Sequence, residues 1–447
     1  MTEGGGEKAP GKLFAAWARL LERLFPDPFS LALWLTLFTL LVALLWTPYG
    51  VGELVVFWGD GLWAFLTFSM QMALILVTGQ ALAEAPVVAR LLGRLSSLPK
   101  SQTSGAALVS VCAMVAAWLN WGFGLIVGAI LARQVADRLA ESLGEERVSR
   151  GLLGAAGYTG LAFWHGGLSG SAPLAVAEKG HAFEELAGVI PMKLTVLSGY
   201  NLLLSLLLLL LIPGFLVLLS SSGITTTNQP VEPRPQPKVV LVVKGHHRAL
   251  AYVMVLLAGA WVVIARPGLG LNTVIFGFLF LGLLAHGSPP LYAAALDRSI
   301  SGISGIVLQF PFYAGVIGIA SKSGLVGLVS DGFVSASHAV HQATGFQPFL
   351  LFVFLSAGLA NLFVPSGGGQ WMIQGPIVLK ASTELGLDPA SAILAVSYGD
   401  QWTNLLQPFW ALPLLSITGL KPAQLLSVTT LLLLWEGAIV CVALALV

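Results

Sequence analysis

The sequence predicts an all-α polytopic membrane protein built as two inverted repeats, each with a re-entrant hairpin and a discontinuous transmembrane helix, with about nine spans plus two hairpins. Composition is the first observation behind this: of 447 residues 56% are hydrophobic and 10% charged, with a mean hydropathy of +0.86, against roughly 25% charged in a soluble domain. Second, apolar runs recur at the ~20-residue length that crosses a hydrocarbon layer of about 30 Å, rather than in the alternating segments of a barrel. Third, the apolar sequence is interrupted twice in the same way. A glycine-rich break, Asn120-Trp-Gly-Phe-Gly124 or Pro365-Ser-Gly-Gly-Gly-Gln-Trp371, is followed by a polar one, His165 to Ser171 or Gly399 to Pro408. Backbone in hydrocarbon must pair its own N–H and C=O groups, so such breaks survive only against protein or a water-filled cavity. Their recurrence in two halves points to a midplane binding site between repeats.

The elements follow in order. Residues 1–27 carry Lys8, Lys12, Arg19 and Arg23, and no A-x-A site follows the first apolar run, Phe29 to Trp46; this implies an uncleaved first span, a cytoplasmic N-terminus and the inner cell membrane. Spans near 28–49, 61–84, 151–177 and 189–219 make the first repeat, 28–219. The hydrophilic stretch 220–247, with Gln229-Pro-Val-Glu-Pro-Arg-Pro-Gln-Pro-Lys238, reads as an extended cytoplasmic linker. A connecting span, 248–265, turns the second repeat over. That repeat, 271–447, holds spans near 271–286, 303–320, 391–420 and 424–446, while 323–342 fits either an amphipathic outer helix or another short span.

Segments 104–138 and 348–381 are the hairpins. Their arms of roughly 15 residues reach about 23 Å, short of the membrane thickness. Arg90, Arg94 and Lys100 precede the first, and Arg133, Arg138, Arg147 and Arg150 lie at or after its end, so both flanks belong in the cytoplasm. The second is flanked by Lys322, Asp331, Lys380, Glu384 and Asp388 without basic bias, and should enter from outside. Cys112 and Cys441 stand alone in apolar segments, which suggests neither disulfide nor zinc site. A net charge of +1 and the lack of a basic, aromatic-interleaved patch give no reason to expect nucleic acid as a partner. The bilayer is the expected one, and no cofactor is implied beyond Na⁺ as a coupling ion.

A helix N-terminus presents unpaired N–H groups and a positive dipole end, an anion site without a cationic side chain. Gly122 and Gly124 open one such end; Ser366, Gly367, Gly368 and Gly369 open the other. With Ser169, Ser171, Thr403 and Asn404 from the second breaks they are the candidate substrate contacts. The side-chain oxygens of Asn120 and Asn361 suit a small hard cation such as Na⁺. Intramembrane ionisable groups are expensive and by default functional, which adds His165 and Asp400 as coupling-ion candidates; Glu436 has no accompanying break. The bland alternatives are glycines that permit close helix packing and a neutral, backbone-bonded histidine.

Four motifs, Asn120-Trp-Gly-Phe-Gly124, His165-Gly-Gly-Leu-Ser-Gly-Ser171, Val364-Pro-Ser-Gly-Gly-Gly-Gln-Trp371 and Gly399-Asp-Gln-Trp-Thr-Asn404, jointly resemble the short-chain fatty acid transporter family over essentially the whole chain. The resemblance implies no enzyme but a secondary transporter of short-chain monocarboxylates such as butyrate or acetoacetate, coupled to Na⁺ or H⁺. More distantly the chain is similar to the ion transporter superfamily, which implies a homodimer and an elevator-type movement. Those relatives carry Ser-Asn-Thr signatures at their tips, where this chain has Asn120-Trp and Pro365-Ser. No Walker A motif is present. Two other readings stay open: an intramembrane serine protease, from Gly167-Leu-Ser-Gly170 with Ala285-His286-Gly287, and a passive channel for small acids.

Overall fold

The computed structural model describes residues 28–64, 66–222, 245–267, 271–300 and 303–446, together with Trp17 and Leu20. Among these, every regular element is a helix. Most of the expected N-terminal segment 1–27 and linker 220–247 lies outside the described residues.

The first half runs α1 (Pro28–Trp46), α2 (Val51–Ala64), α3 (Leu66–Glu84), the short α4 (Pro86–Ser96), the pair α5 (Gln102–Leu119) and α6 (Trp121–Leu143), α7 (Arg150–Tyr158), α8 (Ser171–Ala177), α9 (Glu184–Ala187) and α10 (Gly199–Ser221). After α11 (Gly245–Ala265) come α12 (Leu271–His286), α13 (Pro289–Ile300), α14 (Ser304–Lys322), α15 (Leu325–Thr344), the pair α16 (Phe349–Phe363) and α17 (Gly367–Glu384), α18 (Pro389–Thr403), α19 (Pro408–Thr418) and α20 (Pro422–Ala445). Five described helices are individually long and apolar enough to cross a bilayer, or six if the bent pair α14–α15 is one span. The polarity is inside out: Leu256, Val263 and Ile264 of α11 are 72–83% exposed, while Asn201, Asn361, Gln370, Asp400, Gln401 and Glu436 are at most 2% exposed. A helix bundle with polar groups inside and leucine outside suits hydrocarbon as its solvent.

The halves interlock. Helix α3 packs on α12 and α13, and α14 packs on α1 and α2. Small residues allow the second contact: a Cβ at Gly61 would lie 2.7 Å from the Ala314 carbonyl oxygen and 2.9 Å from Gly318 Cα, a close approach of the small-residue kind. Ion pairs at 2.7 Å, Arg298 with Glu84 and Lys322 with Asp60, tie the same helices.

Several expected boundaries shift. The arms of the first pair have 18 and 23 residues, about 27 and 35 Å at 1.5 Å each, so arm length does not separate a re-entrant hairpin from two spans. The first hairpin, expected to end at residue 138, continues as helix to Leu143, with Val135, Ala136 and Leu139 buried among its polar residues. The span expected at 189–219 begins at Gly199, where the Ser198 hydroxyl accepts from Asn201 N at 3.2 Å; before it Gly188, at φ +66°, ends α9, and residues 191–198 form turns. The span expected at 61–84 is the end of a longer run, Val51–Glu84. The undecided segment 323–342 is helical and bends 56° from Val307–Lys322 at Gly324, which has φ +77°.

Candidate functional site

Both breaks are built by local chemistry. Asn120, extended at φ −157° and ψ 128°, is at once the C-cap of α5 and the N-cap of α6. Its Oδ1 accepts from Gly122 N at 3.0 Å and Phe123 N at 3.2 Å, so the oxygen expected to face a cation is engaged in capping. Gly124 has its Cα pressed on Ala117, leaving no room for a Cβ. In the other half Ser366 caps α17, its Oγ accepting from Gly369 N at 3.3 Å, and Gln370 N returns to the Ser366 carbonyl. Gly367 and Gly368 N–H are then the open donors of that helix end.

Each tip is stitched to the broken helix that follows it. Between α7 and α8 the chain passes through 3-10 turns at Thr159–Ala162 and Trp164–Gly166. There Leu168 N donates to the Trp118 carbonyl at 2.7 Å, and Trp121 N donates to Ser169 Oγ at 3.0 Å. Between α18 and α19 a 3-10 turn, Asn404–Leu406, gives way at Pro408, which cannot continue the ladder. Asn361 Nδ2 donates to the Asp400 carbonyl at 2.7 Å, to Asn404 Oδ1 at 2.9 Å and to Thr403 Oγ1 at 3.0 Å. Thr403 in turn donates to the Gly358 carbonyl. Ser169 and Thr403 thus hold backbone and amide groups of the tips.

One set of residues joins the two halves. His165, 1% exposed, has Nδ1 at 3.0 Å from the Ser397 carbonyl and 3.5 Å from Asp400 Oδ1. A carbonyl only accepts, so this bond places the proton on Nδ1 and a lone pair on Nε2. Nε2 is buried without a partner among the described residues and faces the first residue of α17: a Cβ on Gly367 would lie 2.5 Å from it and 2.9 Å from Ser171 Oγ. Gly368, beside them, is exposed with nothing within 4 Å of a Cβ. His165, Ser171 and Gly367 are therefore in mutual contact, and Gly368 is the exposed side of this site. Trp164 lies against the imidazole, ring centroids 3.6 Å apart.

Other polar groups support this site, and two of them, Gln401, inside the Gly399–Asn404 motif, and Asn201, outside all four motifs, are not among the candidate residues named from the sequence. Gln401 Oε1 accepts from His165 N at 3.1 Å, while its Nε2 donates to the Ala162 carbonyl and to Glu436 Oε1 at 3.2 Å. Asn201 donates to the Gly166 carbonyl at 2.8 Å and accepts from Tyr398 OH at 2.6 Å. The detectable signal was a lone amide or acid in an apolar run, as at Asn201 and Glu436. Asp400 Oδ2, Asn361 Oδ1 and Glu436 Oε2 are buried acceptors without a partner among the described residues. For the protease reading, Ser169 Oγ accepts from Trp121 N and His286 Nε2 bonds the Ala81 carbonyl at 2.9 Å, and among the described residues no hydrogen bond joins the two as nucleophile and base.

A sequence model described as short chain fatty acid transporter matches residues 11–227 and 240–447. A protein of Escherichia coli (strain K12), provisionally named a short-chain fatty acid transporter, is 36% identical over 452 residues, covering 98% of this chain and 99% of its own. A similarly named protein of Haemophilus influenzae (strain Rd) is 37% identical over 421 residues, covering 90% and 91%. Among solved structures, the Alcanivorax borkumensis YdaH transporter aligns at TM-score 0.40 and 16% identity over 93% of this chain and 98% of its own. MtrF of Neisseria gonorrhoeae, described with a class of antimetabolite efflux pumps, aligns at 0.37 and 15% over 96% and 97%; likenesses this distant carry no argument. The sequence matches, spanning nearly the whole chain, do: this multi-pass membrane protein belongs to the short chain fatty acid transporter family.

Proposed function

We propose that the chain is a secondary active transporter that moves a short-chain monocarboxylate together with one proton, and that the two bind side by side at His165. The observation that carries this is the orientation of His165, Nδ1 tied to the Ser397 carbonyl and Nε2 facing the N-terminus of α17. A carboxylate placed there meets the Gly367 and Gly368 N–H groups, the Ser171 hydroxyl and the positive end of a helix dipole. It also meets the Nε2 lone pair, which repels it until Nε2 takes up a proton and becomes a donor. Anion and proton therefore favour each other's binding, which is coupling between two ligands at one site.

Charge balance favours the same stoichiometry. The buried acids beside this site are Asp400, 3.5 Å from His165 Nδ1, and Glu436, which reaches His165 through Gln401. Within the described core no Lys or Arg is fully buried. A lone anion would leave an uncompensated buried charge, whereas anion plus proton adds none. One helix end also supports one negative charge better than two, which selects a monocarboxylate. The proton taken up from one side is released with the carboxylate on the other; no covalent bond forms or breaks.

Sodium is the second reading, favoured by the unpartnered oxygens Asp400 Oδ2 and Asn361 Oδ1, which are ligands of the type a hard cation takes. For the movement, α1–α3 and α12–α14 pack mainly among themselves, and the tips and broken helices among themselves; this supports one unit sliding against the other, as an elevator within a homodimer of the inner membrane. Labelled butyrate or acetoacetate in proteoliposomes tests the proposal: accumulation driven by an inward proton gradient in Na⁺-free buffer is expected. Accumulation only with Na⁺ would favour the second reading. Equilibration with neither gradient nor counterflow would indicate a channel.

A further inference from the structure

We propose that an anionic phospholipid binds in the groove between α4 and the first hairpin, with an acyl chain along the groove and its phosphate on Arg90, Arg94 and Arg138. The groove has a volume of about 520 Å³ and an almost wholly apolar wall, to which α3, α4, α5, α6 and α12 contribute, among others, Leu82, Leu92, Val115, Phe123 and Phe278. Its lining includes none of His165, Ser171, Gly367 and Gly368, so it is independent of that site.

Charge identifies the occupant. Helix α4 is a short amphipathic element on which Val87 and Leu91 are 60% and 58% exposed beside Arg90 and Arg94, one turn apart and also exposed. Apolar and basic residues exposed together are the signature of a helix lying in the membrane surface. Arg138 of α6 reaches the same helix: a Cβ on Gly93 would lie 3.4 Å from its Nη2. Arg133, Arg150 and Arg298 each have a carboxylate partner, but among the described residues Arg90, Arg94 and Arg138 have none. Three guanidiniums without a carboxylate on and against α4, the helix that forms one wall of the groove, match a molecule with a negative head and a hydrocarbon tail. In a bilayer the abundant molecule of that chemistry is an anionic phospholipid, and guanidinium binds phosphate with a geometry ammonium lacks.

The position gives the lipid a consequence. Within the groove Phe123 of the hairpin meets Phe278 of α12, ring centroids 5.9 Å apart, so the lipid fills the seam between the hairpin and the interlocked helices. Transport then depends on headgroup charge.

Native mass spectrometry of the purified full chain with equal phosphatidylglycerol and phosphatidylcholine tests this. Preferential phosphatidylglycerol adducts are expected, with the preference falling roughly a hundredfold in R90Q/R94Q/R138Q, at about fivefold per arginine. Val115→Trp, which fills the groove without changing charge, should remove bound lipid of both kinds while leaving Arg-dependent association with anionic vesicles. Uptake should be faster in vesicles containing phosphatidylglycerol than in pure phosphatidylcholine, and the triple variant should lose that difference. Equal binding of both lipids by the native chain, or a preference that survives the triple substitution, would overturn the proposal.

Discussion

His165 in the first half and Gly367 in the second face each other so closely that a single methyl group on Gly367 would come within 2.5 Å of the imidazole Nε2. The two halves approach this closely because a glycine stands at the first position of α17, and the contact belongs to neither half alone.

Gly367→Ala should therefore lower uptake by roughly tenfold or more, since small misplacements in an organised site have effects of that size. Gly368→Ala, with nothing within 4 Å of the added carbon, keeps the N–H and should stay near the native rate. Parallel uptake measurements on the two variants check this, with gel filtration confirming the fold; equal loss in both would remove the ligand from this site.

Asn120→Ala should weaken the first hairpin by about 1 kcal/mol, the usual loss on removing such a cap, because Gly122 N and Phe123 N lose their shared acceptor. Asn120→Asp keeps an acceptor there and should restore most of the loss. Thermal unfolding in detergent reads both; a stable Ala variant with weakened Na⁺ dependence would instead return Asn120 to the role of ion ligand.

Outside the membrane core, Glu145 bonds Arg150 at 2.5 Å, and that hydrogen bond holds its carboxyl below the ordinary value of 4.5. A depressed acid contributes stability that is complete above the unfolded-state value and is lost as pH falls through the folded one. The Glu145 side chain is 42% exposed, so Glu145→Gln should cost at most about 1 kcal/mol at pH 7. Unfolding curves of native chain and variant should converge below pH 4.5; a gap that widens in acid would contradict the pairing.

The sequence exposed the places where helices fail, because Gly, Pro, Ser and Asn interrupt runs that hydrocarbon would otherwise hold as unbroken helix. It did not show that Gly367 meets His165, since a contact between residues 202 positions apart (367 − 165) is set by packing of the halves. The oxygen of Asn120 was legible as polar, but capping and cation binding ask for the same atom, and only geometry separates them. Helix α6, read to residue 138, runs on to Leu143 because its end is amphipathic, Val135, Ala136 and Leu139 being buried between charged Asp137, Arg138 and Glu141, and not uniformly apolar. Gln401 stood inside a quoted motif and Asn201 was a lone amide in an apolar run, but their role is visible only once Gln401 is seen holding His165 N and Asn201 the Gly166 carbonyl.

The most direct test of proton and carboxylate sharing His165 compares the native chain with His165→Gln in proteoliposomes, in Na⁺-free buffer, with and without an inward proton gradient. The native chain should accumulate butyrate or acetoacetate only with the gradient. The variant, with an amide in place of the titrating ring, should exchange substrate across the membrane yet lose gradient-driven accumulation. Undiminished proton-driven accumulation by His165→Gln would contradict a proton and a carboxylate sharing this site.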